Sequence, residues 1–229
     1  MNLFSLREEE IFQTLKALSD SHFVVIGGYA TNAYTLPRFS VDCDIVVKDE
    51  LELKKIEKTL LKIGYKKQTN AVLQYSGSFA RYEKQLENNF RVSMDILIQI
   101  VTDRGTGAKF TADWVFENSK IRLLKGKTIN QELKVRIINI DALLVMKIIS
   151  CRPTDIRDVF MMLSNAVNKE WIISQVMERY DFEDRMHRII EKVDSAQFKD
   201  GLSGVYGYFD PKVFEKHKKA CKLSRLEQL

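Results

Sequence analysis

Residues Arg91–Ile100 carry the strongest strand pattern in the chain, and an aspartate stands in the middle of it. The run Val92-Ser93-Met94-Asp95-Ile96-Leu97-Ile98 is apolar on both sides of that residue, which reads as a central strand of a sheet. A carboxylate in such surroundings is costly unless it is paired or ligated. Asp95 is therefore a site candidate, and what lies beside its strand decides the chemistry.

A second strand pattern, Asp42–Val47, begins with Asp42-Cys43-Asp44. Residues i and i+2 of a strand share a face, so the two carboxylates project together while Cys43 turns to the core. Like charges this close are unfavourable without a cation, and a hard divalent ion such as Mg²⁺ takes oxygen ligands. Beside the Asp95 strand, the pair would make three carboxylates on one sheet face, a cluster whose usual chemistry uses two metal ions. Upstream, the buried strand His22–Ile26 ends in Gly27-Gly28 and runs into a helix over Tyr29–Thr35, stopped by Pro37. Glycines there let the backbone approach a ligand, and a helix N-terminus offers N–H groups to phosphate. Each feature alone also has a plain reading: a turn for the glycines, a solvent-facing pair for the two aspartates.

The remaining patterns divide the chain into an α/β core over 1–138 and a helical region over 139–229 that packs on it. Helices are expected at Leu6–Leu18 and Asp49–Ile63, the latter with a Leu53, Ile56, Leu60 stripe and Gly64 as its stop. A hairpin is expected over Ala71–Lys84, with arms Val72–Tyr75 and Phe79–Tyr82, and a loop at Thr102–Ala108. Strands follow at Lys120–Leu124 and Leu133–Ile138. The second region reads as helices Ala142–Ser150, Asp155–Asn165, Lys169–Tyr180 and Phe182–Asp194. A stretch with Gly201, Gly204 and Gly207 follows, then a basic helix after Pro211.

Composition narrows the class. Among 229 residues, 45% are hydrophobic and 29% charged, which excludes collagen-like and disordered chains. Cys43, Cys151 and Cys221 are too scattered for a disulfide framework or a zinc site. The most apolar run, Ile137–Ile149, is interrupted by Asn139, Asp141 and Lys147, so no membrane span is expected. The first ten residues lack the order of a secretion signal, and the expected compartment is the cytoplasm. The histidines His22, His187 and His217 have no ligand or triad spacing. Gly105-Thr106-Gly107 lacks the third glycine of a dinucleotide fingerprint. The net charge of +5 is concentrated in two places. Lys120, Arg122, Lys125, Lys127, Lys134 and Arg136 form one cluster; Lys212, Lys216, Lys218, Lys219, Lys222 and Arg225 form the other. Either could track a phosphate backbone or be a solvated face.

Taken together, Ile26-Gly27-Gly28, thirteen residues, Asp42-Cys43-Asp44-Ile45 and a later strand-borne Asp95 resemble the signature of the DNA-polymerase-β-like nucleotidyltransferase superfamily. The resemblance covers Phe23–Ile98. It implies a mixed sheet flanked by helices, with a helical C-terminal region. It also implies an NTP substrate held at Gly27 and Gly28, with Asp42, Asp44 and Asp95 binding two Mg²⁺ ions. Asp95 would help to deprotonate an acceptor hydroxyl that attacks the α-phosphate. Arg38, just before the D-x-D strand, is a phosphate-contact candidate.

A second segment, Leu143-Leu144-Val145-Met146-Lys147 followed by Arg152 and Asp155-Ile156-Arg157-Asp158, looks like the helical segment of AbiEii-type nucleotidyltransferases. That likeness implies nucleotide-binding roles for Lys147 and Asp158, an RNA acceptor such as a tRNA 3′ end, and a cognate antitoxin protein as partner. A salt-bridge lattice between helices is the plain alternative. A small hydroxylated molecule of the antibiotic type and a protein hydroxyl stay open as acceptors. The reading from another class is a non-catalytic nucleotide- or RNA-binding module, against which stands the presence of all three carboxylates.

Overall fold

The computed structural model describes residues 3–68 and 78–226. Among them are ten α-helices and nine strands, seven of which form one mixed sheet. The chain divides into two compact units. The first comprises Met1–Ala33, Pro37–Val101 and Phe110–Ile138; the second comprises Tyr34–Leu36, Thr102–Lys109 and Asn139–Leu229.

The first unit is built on the sheet. Its strands are β1 (Val24–Ile26), β2 (Asp42–Val47), β3 (Lys66–Lys67), β4 (Phe79–Gln85), β5 (Arg91–Ile98), β8 (Ser119–Lys125) and β9 (Glu132–Ile138), in the order β3-β4-β5-β2-β1-β9-β8. β2 runs parallel to β5, and β1 parallel to β9; every other neighbouring pair is antiparallel. The central strands are largely buried, and β2 and β5 interrupt their apolar pattern only on the face that carries Asp42, Asp44, Ser93 and Asp95. All three residues of β1 are buried, as are Cys43, Ile45, Val46 and Val47 of β2 and Met94 and Ile96 of β5. Each such side chain taken from water stabilises the fold by about 1.5–3 kcal/mol. The exposed edge β3 is two lysines, a device that discourages pairing with other chains. Helices α1 (Leu3–Ala17), α2 (Gly27–Thr31), α3 (Glu50–Lys62) and α4 (Ala112–Glu117) belong to this unit. α3 is capped by the Asp49 carboxylate, which accepts from the Glu52 amide, and buries Leu53, Ile56 and Leu60 as expected.

One buried carboxylate ties the ends of this unit together. Glu8 of α1 is 3% exposed. It accepts hydrogen bonds from the backbone N–H groups of Lys127, Thr128 and Ile129 at 2.6, 2.8 and 3.3 Å and from the Thr128 hydroxyl at 2.8 Å. These donors form the turn between β8 and β9, so Glu8 supplies acceptors that the turn's own backbone lacks.

The second unit is helical: α5 (Ile140–Ser150), α6 (Pro153–Met162), α7 (Lys169–Met177), α8 (Phe182–Asp194), α9 (Ala196–Tyr206) and α10 (Pro211–Leu226). α5 is the most apolar run of the chain, and Ile140, Ala142, Leu143, Leu144, Val145, Ile148 and Ile149 are all buried. It is the central helix of a bundle, and no described helix is long and apolar enough to cross a membrane. Asp141 accepts from the Val167 and Asn168 amides at 2.9 and 3.0 Å, fixing the entry to α7. The three cysteines are free, and Cys43 and Cys221 are buried.

Several elements depart from the sequence patterns. The strand expected to run to Ile100 ends at Ile98, because Gln99 adopts a left-handed conformation (φ 61°). The chain then forms a ribbon of β6 (Ile100–Thr102) with β7 (Lys109–Thr111), whose tip is the expected loop. That tip is closed by Asp103, which accepts from the Thr106 amide and hydroxyl, both at 2.8 Å. The hairpin arm expected at 72–75 lies outside the described residues. The arm at Phe79 extends to Gln85 and hairpins with β5 through a short 3-10 turn at Glu87–Asn89. The helix expected over Tyr29–Thr35 is one turn, Gly27–Thr31. Pro153 opens α6 at its first turn, where the missing N–H costs nothing. The glycine-containing stretch is a helix, α9: Phe198 and Leu202 bury one face while Gly201 and Gly204 lie exposed, so packing overrides poor intrinsic propensity.

Replacing Glu8 with alanine strands the amides of the β8–β9 turn. It is expected to destabilise the protein by about 3 kcal/mol, with Glu8→Gln recovering part of the loss. The midpoints of denaturant unfolding measure both.

Candidate active site

The register between β2 and β5 builds the acidic cluster. Asp44 stands directly opposite Asp95, and Asp42 opposite Ser93. Alternation puts Cys43 on the other face, where it is fully buried. Burial pushes the Cys43 thiol well above its usual range, with Asp44 adding to the effect, so it stays a protonated core residue. Asp42 and Asp44 are half-buried and Asp95 is buried.

Asp44 is also opposite Ile26, the residue before Gly27. Gly27 has φ +64°, and a Cβ there would lie 2.1 Å from Asp44 Oδ2. The glycine thus makes room for the carboxylate that sits over it. A Cβ on Gly28 would lie 2.3 Å from Ser40 Oγ and 3.3 Å from the Arg38 guanidinium. Arg38 is held by Asn32, whose side-chain amide donates to its carbonyl and accepts from its N–H, at 2.9 and 3.0 Å. Gly27, Gly28, Arg38, Asp42, Asp44 and Asp95 therefore all fall within the first unit. α2 is a single turn, so close backbone approach is the feature this segment offers, rather than the dipole of a long helix.

Asp95 has a partner that the sequence patterns missed. Arg81 of β4 stands opposite it in register. Its guanidinium makes a fork, Nε to Oδ1 at 2.7 Å and Nη2 to Oδ2 at 2.5 Å. The same Nη2 lies 3.9 Å from Asp42 Oδ2. Burial pushes the Asp95 carboxyl up, and Arg81 pulls against that rise. Arg81 itself is held above its ordinary range, first by its hydrogen bonds to Asp95. The signal that would have found it is arithmetic. A β4–β5 hairpin pairing Gln85 with Arg91 puts Arg81 opposite Asp95.

Among the described residues, no three or more His, Cys, Asp or Glu side chains are arranged as a ready-made metal cage. That does not disqualify the donor set for Mg²⁺, which is commonly held by one or two carboxylates and completes its shell with water and substrate phosphates. Asp42 and Asp44, hard oxygen donors side by side on one face, with the space kept by Gly27, fit such an ion.

Lys147 and Asp158 lie in the second unit and meet there. Lys147 Nζ is 2.6 Å from Asp158 Oδ2 and 3.0 Å from Asp155 Oδ1. Arg152 Nε and Ser150 Oγ donate to Asp155 Oδ2 at 2.6 and 2.5 Å. Asp158 is 0% exposed and the Lys147 side chain 7%. The arrangement is an ion-pair lattice that staples α5 to α6, with Asp155 at its hub. Burial raises the Asp155 carboxyl, but Lys147 and Arg152 outweigh it and hold it down at about 2.

The fold resembles that of a solved structure. A crystal structure from H. pylori, provisionally described as a nucleotidyltransferase, matches with a TM-score of 0.50 over 97% of this chain and 96% of that one, at 15% sequence identity. The protein is a nucleotidyltransferase, and it belongs to the AbiEii family, whose description is "Nucleotidyl transferase AbiEii toxin, Type IV TA system" and whose sequence profile matches residues 11–219. No curated protein matches the chain.

Two outcomes follow from these contacts. Gly27→Ala forces a Cβ against Asp44 at a backbone angle that L residues rarely adopt. A displacement of about 1 Å is enough to lower nucleotidyl transfer by about 100-fold, with an unchanged circular dichroism spectrum. Asp155 has a depressed native pKa, so its contribution is present above the unfolded value and lost as pH falls through about 2. It amounts to about 2 kcal/mol, and Asp155→Asn should flatten stability between about pH 4 and about pH 2 by that amount in urea titrations.

Proposed function

We propose that the enzyme transfers a nucleoside monophosphate from an NTP to a hydroxyl of RNA, with Mg²⁺ held at Asp42 and Asp44. The observation that carries the reading is the set Gly27, Asp44 and Asp95: a glycine kept small by a carboxylate, and a second carboxylate in register on the next strand. When bound, the divalent ion supplies charge neutralisation at the phosphates. Gly28 makes room for Ser40 and for the Arg38 guanidinium beside the same turn, and Arg38 offers that guanidinium to the triphosphate. The acceptor oxygen attacks the α-phosphorus, the bond to the pyrophosphate oxygen breaks, and the hydroxyl proton passes to the carboxylate set. Lys147 and Asp158 enter the nucleotide-binding reading through family-like spacing, while their contacts supply the staple between α5 and α6.

The RNA acceptor is supported by the β8–β9 hairpin. Ile121 faces Arg136 and Leu123 faces Lys134 across it, and all four are exposed, a mixed basic and apolar surface at the sheet edge. The C-terminal cluster contributes less, because Lys218 and Lys222 are paired with Asp194 at 2.8 and 3.1 Å. By its likeness to type IV toxins, the enzyme is proposed to have a cognate antitoxin.

Incubation with Mg²⁺, each labelled NTP and total cellular RNA tests the reading. The expected result is a labelled RNA band that is lost with Asp44→Ala, while unfolding of that variant stays cooperative. Label on protein or on a small molecule instead would replace the acceptor. Transfer by Asp44→Ala at the wild-type rate would overturn the site.

A further inference from the structure

Arg81 occupies a position with a specific electrostatic meaning. Its Nη2 touches Asp95 Oδ2 at 2.5 Å and lies 3.9 Å from Asp42 Oδ2. Those are two of the carboxylates that a second divalent ion would have to share. Both oxygens of Asp95 are committed to the guanidinium fork. An Mg²⁺ ion needs carboxylate oxygens at about 2.0–2.1 Å in near-octahedral array, and taking one from Asp95 would set it against the guanidinium whose Nη2 lies 2.5 Å from the same carboxylate.

The backbone that carries the arginine is also fixed, although its side chain is 34% exposed. Its neighbours Ala80 and Tyr82 are buried, β4 pairs with β5 from Phe79 to Gln85, and the Arg81 guanidinium lies 5.9 Å from the Phe79 ring. Backbone pairing on both sides of position 81 fixes where the fork can reach. Charge balance points the same way. In the nucleotide-free protein, one guanidinium and one divalent ion offset three carboxylates, whereas adding a second divalent ion leaves uncompensated positive charge. A planar fork matches a carboxylate in a way a point charge does not, which suits arginine to a permanent counter-ion.

We infer that Arg81 takes the place of the second divalent ion, so that the site binds a single divalent cation, at Asp42 and Asp44. The inference rests on the divalent-ion reading of the proposed function. Arg81 is a positioning residue: it holds Asp95 and supplies the fixed positive charge on the Asp42 side of the cluster. Asp95 is then the anchor of the arginine and not a metal ligand in the native protein.

The test counts ions directly. Mn²⁺ is titrated into the full-length protein without nucleotide, and bound metal is read from loss of the free-ion electron paramagnetic resonance signal. A single Mn²⁺ per chain is expected for the wild type, for Arg81→Lys, which keeps a charge, and for Asp95→Asn. Arg81→Gln should gain a second Mn²⁺, and the gain should vanish in the Arg81→Gln, Asp95→Asn double variant. Two ions on the wild type would overturn the inference and leave the divalent-ion reading standing, as would an Arg81→Gln protein that folds and still binds only one. No ion on either protein would overturn both. If Arg81→Gln does not fold, the wild-type and Asp95→Asn counts still decide: one ion on each supports the inference, and an ion lost with Asp95→Asn overturns it.

Discussion

The parallel register of β2 against β5 is the constraint on which the site depends. Cys43, Ile45, Met94 and Ile96 all point into the core and are fully buried, so the apolar face selects one alignment of the two strands. A slip of β2 by one residue would bring Cys43 and Ile45 out and turn Asp42 and Asp44 in. The hydrophobic core therefore aligns the carboxylates, although it contains none of them. The cost of gathering negative charge beside a core is offset locally by Arg81, delivered by the next strand along, and by the space that Gly27 leaves for Asp44.

Much of this was legible in the sequence because it rests on period-two alternation. Asp42 and Asp44 on one face, Cys43 on the other and Asp95 as a paired residue in an apolar strand all follow from local pattern. What was not legible is what depends on the register between strands, even neighbouring ones. The partner of Asp95 comes from β4, and no local feature of Phe79–Gln85 marks Arg81 as different from any other strand arginine. The ribbon formed by β6 and β7 escaped because three-residue strands carry almost no periodic signal. The breakpoint at Gln99 escaped because a left-handed conformation was adopted by a residue other than glycine. α9 was hidden for the opposite reason: local propensity spoke clearly and was overruled by the burial of Phe198 and Leu202.

The second unit shows how a buried charge can be read two ways. Lys147, Asp155 and Asp158 have the spacing of functional residues, and they also pair with one another. Buried lysine in an apolar helix is tolerable only with such partners, since an unpaired ammonium would give up its charge or open the helix to water. Arg152 and Ser150 complete the hub at Asp155. The lattice fixes how α6 leaves α5 at the left-handed Cys151, a sharp joint that helix propensity alone would not specify.

The contacts made by Glu8 have a consequence for how the chain is made. Glu8 and Lys127 are 119 residues apart, and the central strand β1 takes its second neighbour, β9, from residues 132–138. A ribosome must release nearly the whole of the first unit before α1 can be tied down or β1 enclosed on both sides. The β2–β5 pair that carries the aspartates can form earlier, with the β1 edge still bare. The first unit is therefore completed only once its last strand has been made, and the strands that carry the aspartates wait for it.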